Sequence, residues 1–183
     1  MRIISGSNKG KRIIAPKKLP VRPTTDMAKE GLFNILNNHY HFSALTILDL
    51  FSGTGNISYE FASRGAEKIT SIDGNYECVK FIKKTANELD YSITAIKSDV
   101  FKYLEKAPIK ADVIFADPPY NFSTEEFLKI AALVFENNLL TEDGMLIIES
   151  GKHTDLSNGP NFVEKRGYGG SVFSFFYKTS EED

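Results

Sequence analysis

The chain has 183 residues, 42% hydrophobic and 25% charged, the proportions of one ordinary globular domain with a full core. Its single cysteine, Cys78, excludes a disulfide framework and fits a small core residue in a reducing cytoplasm. No apolar run reaches the roughly 18–20 residues of a membrane span, and the start "MRIISGSNKGK" lacks the apolar run of a signal peptide.

A cytoplasmic, monomeric protein is therefore expected. The three histidines include "HYH" at 39–41 without an acid or cysteine at ligand spacing, so no metal is expected. The net charge of −2 conceals an asymmetry. Residues 1–29 hold Arg2, Lys9, Lys11, Arg12, Lys17, Lys18, Arg22 and Lys29 against Asp26 alone. A basic arm on an acidic body suits a local polyanion contact; the plainer reading is a solvated, flexible terminus.

"RIIS" (2–5) and "RIIA" (12–15) flank "GSNKGK" and read as a β-hairpin with a basic tip. With the proline-punctuated linker "PKKLPVRP" they form an N-terminal extension over residues 1–23. The remainder, 24–183, reads as the main domain. "TTDMAKEGLFNILNNH" is a helix capped by Thr24 or Thr25, with an apolar stripe of Leu32, Phe33, Ile35 and Leu36. The chain then alternates. Strands are expected at "TILDLF", "KITSID", "SITAIKS", "ADVIFA" and "GMLIIES". Helices are expected at "NISYEFASR", "NYECVKFIKKTANEL", "DVFKYLEK" and "STEEFLKIAALVFENN". Alternation of this kind predicts a parallel sheet with helices on both faces. The rhythm breaks at "NFVEKR", "GYGG" and "SVFSFFYK", which predict an antiparallel hairpin at the edge. The tail "SEED" is expected to fray.

Between the first parallel strand and its helix lies "LDLFSGTGNIS". Gly53 and Gly55 permit a sharp turn and close approach of backbone to ligand. Asp73 ends the next strand, where an acid accepts hydrogen bonds from ribose hydroxyls in doubly wound folds. A dinucleotide fingerprint wants a third glycine at position 58, which is Ser58. S-adenosylmethionine has a ribose and no phosphate, and Asp49 suits its ammonium and sulfonium charges rather than a pyrophosphate. Asp49, Ser52, Gly53, Gly55 and Asp73 are thus the candidate cofactor contacts. Asp99 and the Val100 amide, ending the third strand, are candidates for the adenine; Asp99 also reads as a helix N-cap. A plain strand–helix turn is the competing reading of the glycines.

The fourth strand ends in "DPPY", Asp117 to Tyr120. Pro118 and Pro119 stiffen the backbone and remove two amide donors. The Asp117 carboxylate and a nearby carbonyl supply two acceptors, which match the two hydrogens of an exocyclic amine. Tyr120 offers a flat surface for a base. A capped proline turn is the alternative.

Together, "LDLFSGTG", the acid after strand two and "DPPY" resemble class I S-adenosylmethionine-dependent amino methyltransferases. "RIISGSNKGKRI", "VRPTTDMAKEGLFNIL" and "RGYGGSVFSFFY" narrow the resemblance to the bacterial RsmD-type 16S ribosomal RNA guanine-N2 methyltransferases, from Arg2 to about Lys178. The resemblance implies a Rossmann-like α/β fold with a mostly parallel seven-stranded sheet, and a catalytic loop at Asp117, Pro118, Pro119 and Tyr120. It implies a 16S rRNA or assembling small-subunit partner, with Arg22, Thr24 and Thr25 near ligand or RNA alongside Lys9, Lys11 and Arg12. One departure stands out: the family pattern Glu-x-Asp after strand two is Asp73-Gly74-Asn75 here. Rival readings are an adenine-N6 methyltransferase on DNA or RNA, a nicotinamide oxidoreductase, and a non-catalytic ribosome-assembly binder.

Overall fold

A computed structural model of the protein describes residues 1–19 and 21–180. Pro20 of the linker, and all of the "SEED" tail except Ser180, lie outside the described residues. Among the described residues, five α-helices and seven strands follow in the expected order: α1 (Asp26–Asn37), β1 (Thr46–Leu50), α2 (Asn56–Ser63), β2 (Lys68–Asp73), α3 (Tyr76–Glu88), β3 (Ile93–Lys97), α4 (Val100–Lys106), β4 (Ala111–Ala116), α5 (Thr124–Glu136), β5 (Leu140–Gly151), β6 (Phe162–Tyr168) and β7 (Ser171–Phe176); a single 3-10 turn, Phe42–Ala44, precedes β1. The strands form one sheet in the order β3-β2-β1-β4-β5-β7-β6. β3, β2, β1, β4 and β5 pair in parallel, and β7 pairs antiparallel with both β5 and β6. The chain reverses its winding between β1 and β4, so their carboxyl ends flank the switch point where such sheets bind ligands.

Local signals act as the sequence suggests. The Thr25 hydroxyl accepts from the Ala28 amide and starts α1. Ser123 and Glu126 form a capping box on α5. The central strands are buried on both faces. One face packs Ile47, Phe115, Ile147, Phe173 and Phe175 against Leu32 and Phe33 of α1 and Phe61 of α2. The other packs Leu48, Ile114, Leu146 and Ile148 against Leu104 of α4 and Ile130 of α5.

Two elements exceed their expected bounds. β5 begins at Leu140 rather than at Gly144, because a register shift between Ala111 and Val113 lets the chain pair twice with β4. Gly144 is needed there, since a side chain would crowd the Ala111 and Thr141 carbonyls at 3.0 Å. β6 runs on through Gly167 and Tyr168, leaving only Gly169 and Gly170 as the turn. The Tyr168 ring fills the space above Gly31 of α1, which holds the strand in place.

The N-terminal extension is tightly docked. Its two runs meet at a single antiparallel bridge, Arg2 to Arg12, with Ile3 N–H donating to the Lys11 carbonyl at 2.9 Å. Ile3 and Ile13 are buried against Tyr59, Val79, Ile82 and Ala95. Both oxygens of Glu60 accept backbone amides of the extension, from Ile4 at 2.8 Å and Ser5 at 3.1 Å. Glu60 also pairs with Lys29 at 3.3 Å and with Arg64 at 2.8 Å. Lys29 is 1% exposed, so it is not part of a polyanion surface. Its ammonium donates to the Arg2 carbonyl and to Asn56 Oδ1. The exposed basic residues of the arm include Lys9, Lys11, Arg12, Lys17 and Lys18.

Candidate active site

The glycine loop is built from left-handed backbone. Phe51, Gly53 and Gly55 have φ of +54°, +55° and +89°. A side chain at Gly55 would meet the Tyr59 ring at 2.6 Å, and one at Gly53 would meet Val21 Cγ1 at 3.2 Å. Val21 therefore lies against the loop, and the segment leading into α1 passes beside it. Asn56 secures that segment by donating to the Thr24 carbonyl at 3.1 Å. Ser52 ties the loop to β2, its amide donating to the Ile72 carbonyl at 3.0 Å and its hydroxyl at 3.2 Å.

Asp73 braces the loop from β2. Its Oδ2 accepts from the Gly53 amide at 2.8 Å and its Oδ1 from the Asn75 amide at 2.8 Å. Each oxygen keeps a second lone pair beyond these bonds. Asn75 caps α3 by accepting from the Glu77 and Cys78 amides, so the departure from Glu-x-Asp puts a helix cap where the family pattern has a second acid. Burial raises the Asp73 pKa, opposed by the Asn75 and Gly53 amides.

Asp49 lies deeper. It is buried, accepts from the Ser58 hydroxyl at 2.6 Å, and Ser58 in turn meets Ser71 at 2.7 Å. Ser58, the residue that breaks the dinucleotide fingerprint, is thus the partner of the loop's carboxylate. Burial pushes the Asp49 pKa up to about 7, with the Ser58 bond opposing and the Asp73 charge adding.

Asp117 follows the last residue of β4, Ala116, which pairs with Leu50 of β1 and Ile148 of β5. Its carboxyl is held well above the usual range, first by burial, then by the charges of Glu149 and Asp49. Pro118 is buried, Pro119 is exposed, and the Tyr120 ring is 99% exposed. Phe122 anchors the far end of the loop. Its amide donates to the Pro119 carbonyl at 3.0 Å, and its ring meets Phe51 edge-on at 5.5 Å and stacks on Phe101 at 6.0 Å.

The candidate residues do not all gather here. Asp49, Ser52, Gly53, Gly55, Asp73 and Asp117 share the carboxyl edge of β1, β2 and β4. Asp99 is exposed and spends one oxygen capping α4, accepting from the Lys102 amide at 3.0 Å. The Val100 side chain belongs to the core. Arg22 is exposed with the arm's lysines. Thr24 requires a correction as an RNA contact: it is buried, and its hydroxyl donates to Glu149 Oε2 at 2.7 Å, beside Asp117. The Thr25 hydroxyl is engaged as the α1 cap. Glu149 is the residue that sequence reasoning overlooked. It ends the buried run "MLII" as Asp49, Asp73 and Asp117 end theirs, and that shared position was the available signal.

The family model described as Conserved hypothetical protein 95 matches residues 1–177. The ribosomal RNA small subunit methyltransferase D of Haemophilus influenzae is 32% identical over 169 residues, covering 89% of this chain and 85% of that protein. The chain belongs to this family. The resemblance read from the glycine loop, "DPPY" and the flanking motifs is borne out over nearly the whole length. The fold agrees. The solved structure of yhhF from Escherichia coli superposes with a TM-score of 0.84 at 22% identity, covering 98% of this chain and 99% of that one. SMU.776, described as a methyltransferase and solved with SAH, gives 0.62 at 20% identity over 81% of this chain and 49% of that one.

The carboxyls at this sheet edge share one electrostatic character. Asp49, Asp73, Asp117 and Glu149 all carry raised pKa values, and no basic group contributes to any of the four shifts. Beside these carboxyls positive charge on a ligand is favoured, and a pyrophosphate would add repulsion. The same carboxyls set the stability of the ligand-free protein. An unfolded aspartate ionises near pH 4, whereas folded Asp49 ionises at about 7. Between these values the folded state holds the extra proton, so stability falls as pH rises through the window. Melting temperatures of the ligand-free protein are expected to drop from pH 5 to pH 8, and Asp49→Asn to flatten the slope. An unchanged slope in the variant would assign the effect to other groups.

Proposed function

We propose that this protein methylates the exocyclic N2 of a guanine in 16S ribosomal RNA, free or within an assembling small subunit, using S-adenosylmethionine. The observation that carries the reading is the junction of a "DPPY" loop with a glycine loop across β1 and β4. The name of the Haemophilus relative supports the RNA class. The cofactor would be held by the Gly53–Gly55 backbone and by Asp73 at its ribose, with Asp49 and its neighbours facing the positive charges. When bound, it supplies an electrophilic methyl group on sulfur, whose passage to an amine leaves a neutral thioether and releases one proton from the nitrogen.

The residues of the chain do the rest. The lone pair of a guanine amine is delocalised into the ring and is a weak nucleophile. Asp117 and a backbone carbonyl of the loop grip its two hydrogens, draw the nitrogen toward a tetrahedral shape and aim its lone pair. Asp117 then accepts the released proton. Tyr120 stacks on the base and offsets part of the few kcal/mol that flipping costs. Lys9, Lys11, Arg12 and Arg22 hold phosphates.

Methyl transfer from labelled cofactor to ribosomal RNA and to 30S particles from a strain lacking the enzyme tests the reading. N2-methylguanosine is the expected product; N6-methyladenosine would assign the base wrongly, and no transfer with intact RNA binding would favour a non-catalytic binder. Asp73→Ala is expected to weaken cofactor binding by several fold or more, since a ribose hydrogen-bond partner is worth about 1–3 kcal/mol. Unaltered affinity by calorimetry would remove Asp73 from the site. Neutralising Lys9, Lys11 and Arg12 together should flatten the salt dependence of RNA binding by roughly 2–3 units. A slope equal to that of the wild type would make the arm mere solvated surface.

A further inference from the structure

β4 and β5 run in parallel, and their last paired residues in this stretch are Ala116 and Ile148. Asp117 and Glu149 come next on the two chains, just past the paired stretch, and the charge of Glu149 acts on Asp117. Because side chains alternate along a strand and neighbouring strands lie about 4.8 Å apart, the two carboxyl groups leave the same face side by side. That face is the one covered by α1. Glu149 is 7% exposed and is gripped at both oxygens: the Thr24 hydroxyl donates to Oε2 at 2.7 Å and the Ser171 hydroxyl to Oε1 at 2.8 Å. These two donors come from opposite ends of the chain, one just before α1 and one at the start of β7. They converge on a residue for which the glycine loop and "DPPY" have no use.

We propose that Glu149 is a positioning residue for methyl transfer: clamped by Thr24 and Ser171, it forms a carboxyl pair with Asp117, keeps the negative charge of that pair on itself, and so makes Asp117 the stronger base. The inference rests on the role given to Asp117 under the proposed function.

The physical case is one of asymmetry. Two carboxyl groups side by side, Glu149 buried and Asp117 half-buried, resist ionising together. Hydroxyl donors favour the ionised form of the group they bind, and the clamp on Glu149 has two. The charged groups acting on Asp117 are Glu149 on β5 and Asp49 on β1, both acidic, while Asp73 on β2 acts on Asp49. Burial raises both members of the pair, but the Thr24 and Ser171 bonds hold Glu149 back and nothing comparable relieves Asp117. The proton of the pair therefore sits on Asp117 at acid pH. Once it has left, Asp117 meets the amine as a base closer in strength to the working pH than an exposed carboxylate, which is where proton transfer is most effective. The cost is an acidic limit on activity.

The test compares wild type with Glu149→Gln and with Thr24→Val. Glutamine keeps the size of Glu149 and can accept from Thr24 while donating to Ser171, so the clamp persists without the charge. Carboxyl carbon NMR of aspartate-labelled protein, assigned through Asp117→Asn, follows the Asp117 titration without RNA or turnover. In parallel, single-turnover methylation is measured against pH. Glu149→Gln is expected to move the Asp117 titration to lower pH. The acid limb of the rate should move with it, so that the ratio of the acid rate to the plateau rate rises several-fold while the plateau itself falls. Thr24→Val leaves the charge of Glu149 less favoured and should shift both in the same direction, by less. An Asp117 titration that stays in place in both variants, with melting curves showing a folded protein, would overturn the pair. Failure of the wild type to methylate RNA would instead overturn the proposed function, because the NMR titration decides the pair without it.

Discussion

Asp117→Ala is expected to reduce single-turnover methylation by about 10²-fold or more, the loss seen when one preorganised electrostatic contact is removed from an active site. The loss should fall on kcat rather than on KM, because the acceptor matters most as the amine nitrogen rehybridises. Cofactor affinity should change less than the rate, since the glycine loop is braced by Asp73 and Ser52 and Asp117 is only one of four carboxyls near the positive charges of the cofactor. Asp117→Asn separates shape from charge. It keeps a carbonyl acceptor and loses the proton-accepting carboxylate, so an intermediate rate is expected. Two further consequences follow from the buried carboxyls. Asparagine relieves the repulsion with Glu149 and Asp49, so the ligand-free variant should melt higher than wild type at pH 8, where the wild-type carboxyl is forced to ionise. The variant should also lose any acid limb that belongs to Asp117. If Asp117→Ala methylated at the wild-type rate while binding RNA normally, the carboxylate would have no part in the chemistry and "DPPY" would be a capped proline turn.

The strand–helix order was legible because each element carries its own local signal. Apolar runs of four to six residues end in an acid or a glycine, Asn75 and Ser123 cap their helices, and Gly65 follows the end of α2. The glycine loop and "DPPY" were legible for the same reason: each is a contiguous stretch whose chemistry needs neighbours in sequence. What stayed hidden depends on contacts between distant residues. Thr24 and Glu149 are 125 residues apart, and no local pattern shows that one hydroxyl is consumed by the other. Lys29 looked like one more positive charge, although it lies three and four residues before Leu32 and Phe33 and so on the apolar face of α1. Glu60 sits next to Phe61 in the short α2, every residue of which is buried. A charged residue in phase with an apolar stripe is the sequence signal for a buried pair, and two such residues on successive helices are what the structure joins.

Glu60→Gln is expected to destabilise the protein by about 3–5 kcal/mol, the cost of leaving one charge of a buried pair unpaired. That is a large share of the roughly 5–15 kcal/mol that holds a domain folded. The Lys29 ammonium would keep only neutral partners, the Arg2 carbonyl and Asn56 Oδ1, in a site where burial already lowers its pKa and Glu60 is the main group raising it. The glutamine amide could accept one of the Ile4 and Ser5 amides but not both with equal strength, and it would lose its charged contact with Arg64. The damage should therefore reach the arm. Its remaining anchors include Ile3, Ile13, the Ser63 contacts to Ser5, Ser7 and Asn8, the Tyr91 hydroxyl on Asn8 and the Arg2–Asp26 pair. Urea unfolding gives the free energy, and proteolysis near Lys9 and Lys11 reports whether the arm lifts. Lys29→Met in the Glu60→Gln background removes the stranded ammonium and should recover part of the loss, since an apolar side chain costs less there than an unpaired charge. A single-variant cost below about 1 kcal/mol, the range of exposed pairs, would mean that water reaches the network and that the other contacts, not the Glu60 pairs, hold the arm. With the larger cost, the basic residues of the arm are a rigid surface fixed to the same helix, α2, whose first residue, Asn56, holds the segment beside the glycine loop. RNA phosphates and cofactor would then be read by parts of one packed unit, and Glu60→Gln should weaken RNA binding without touching a single residue that contacts RNA.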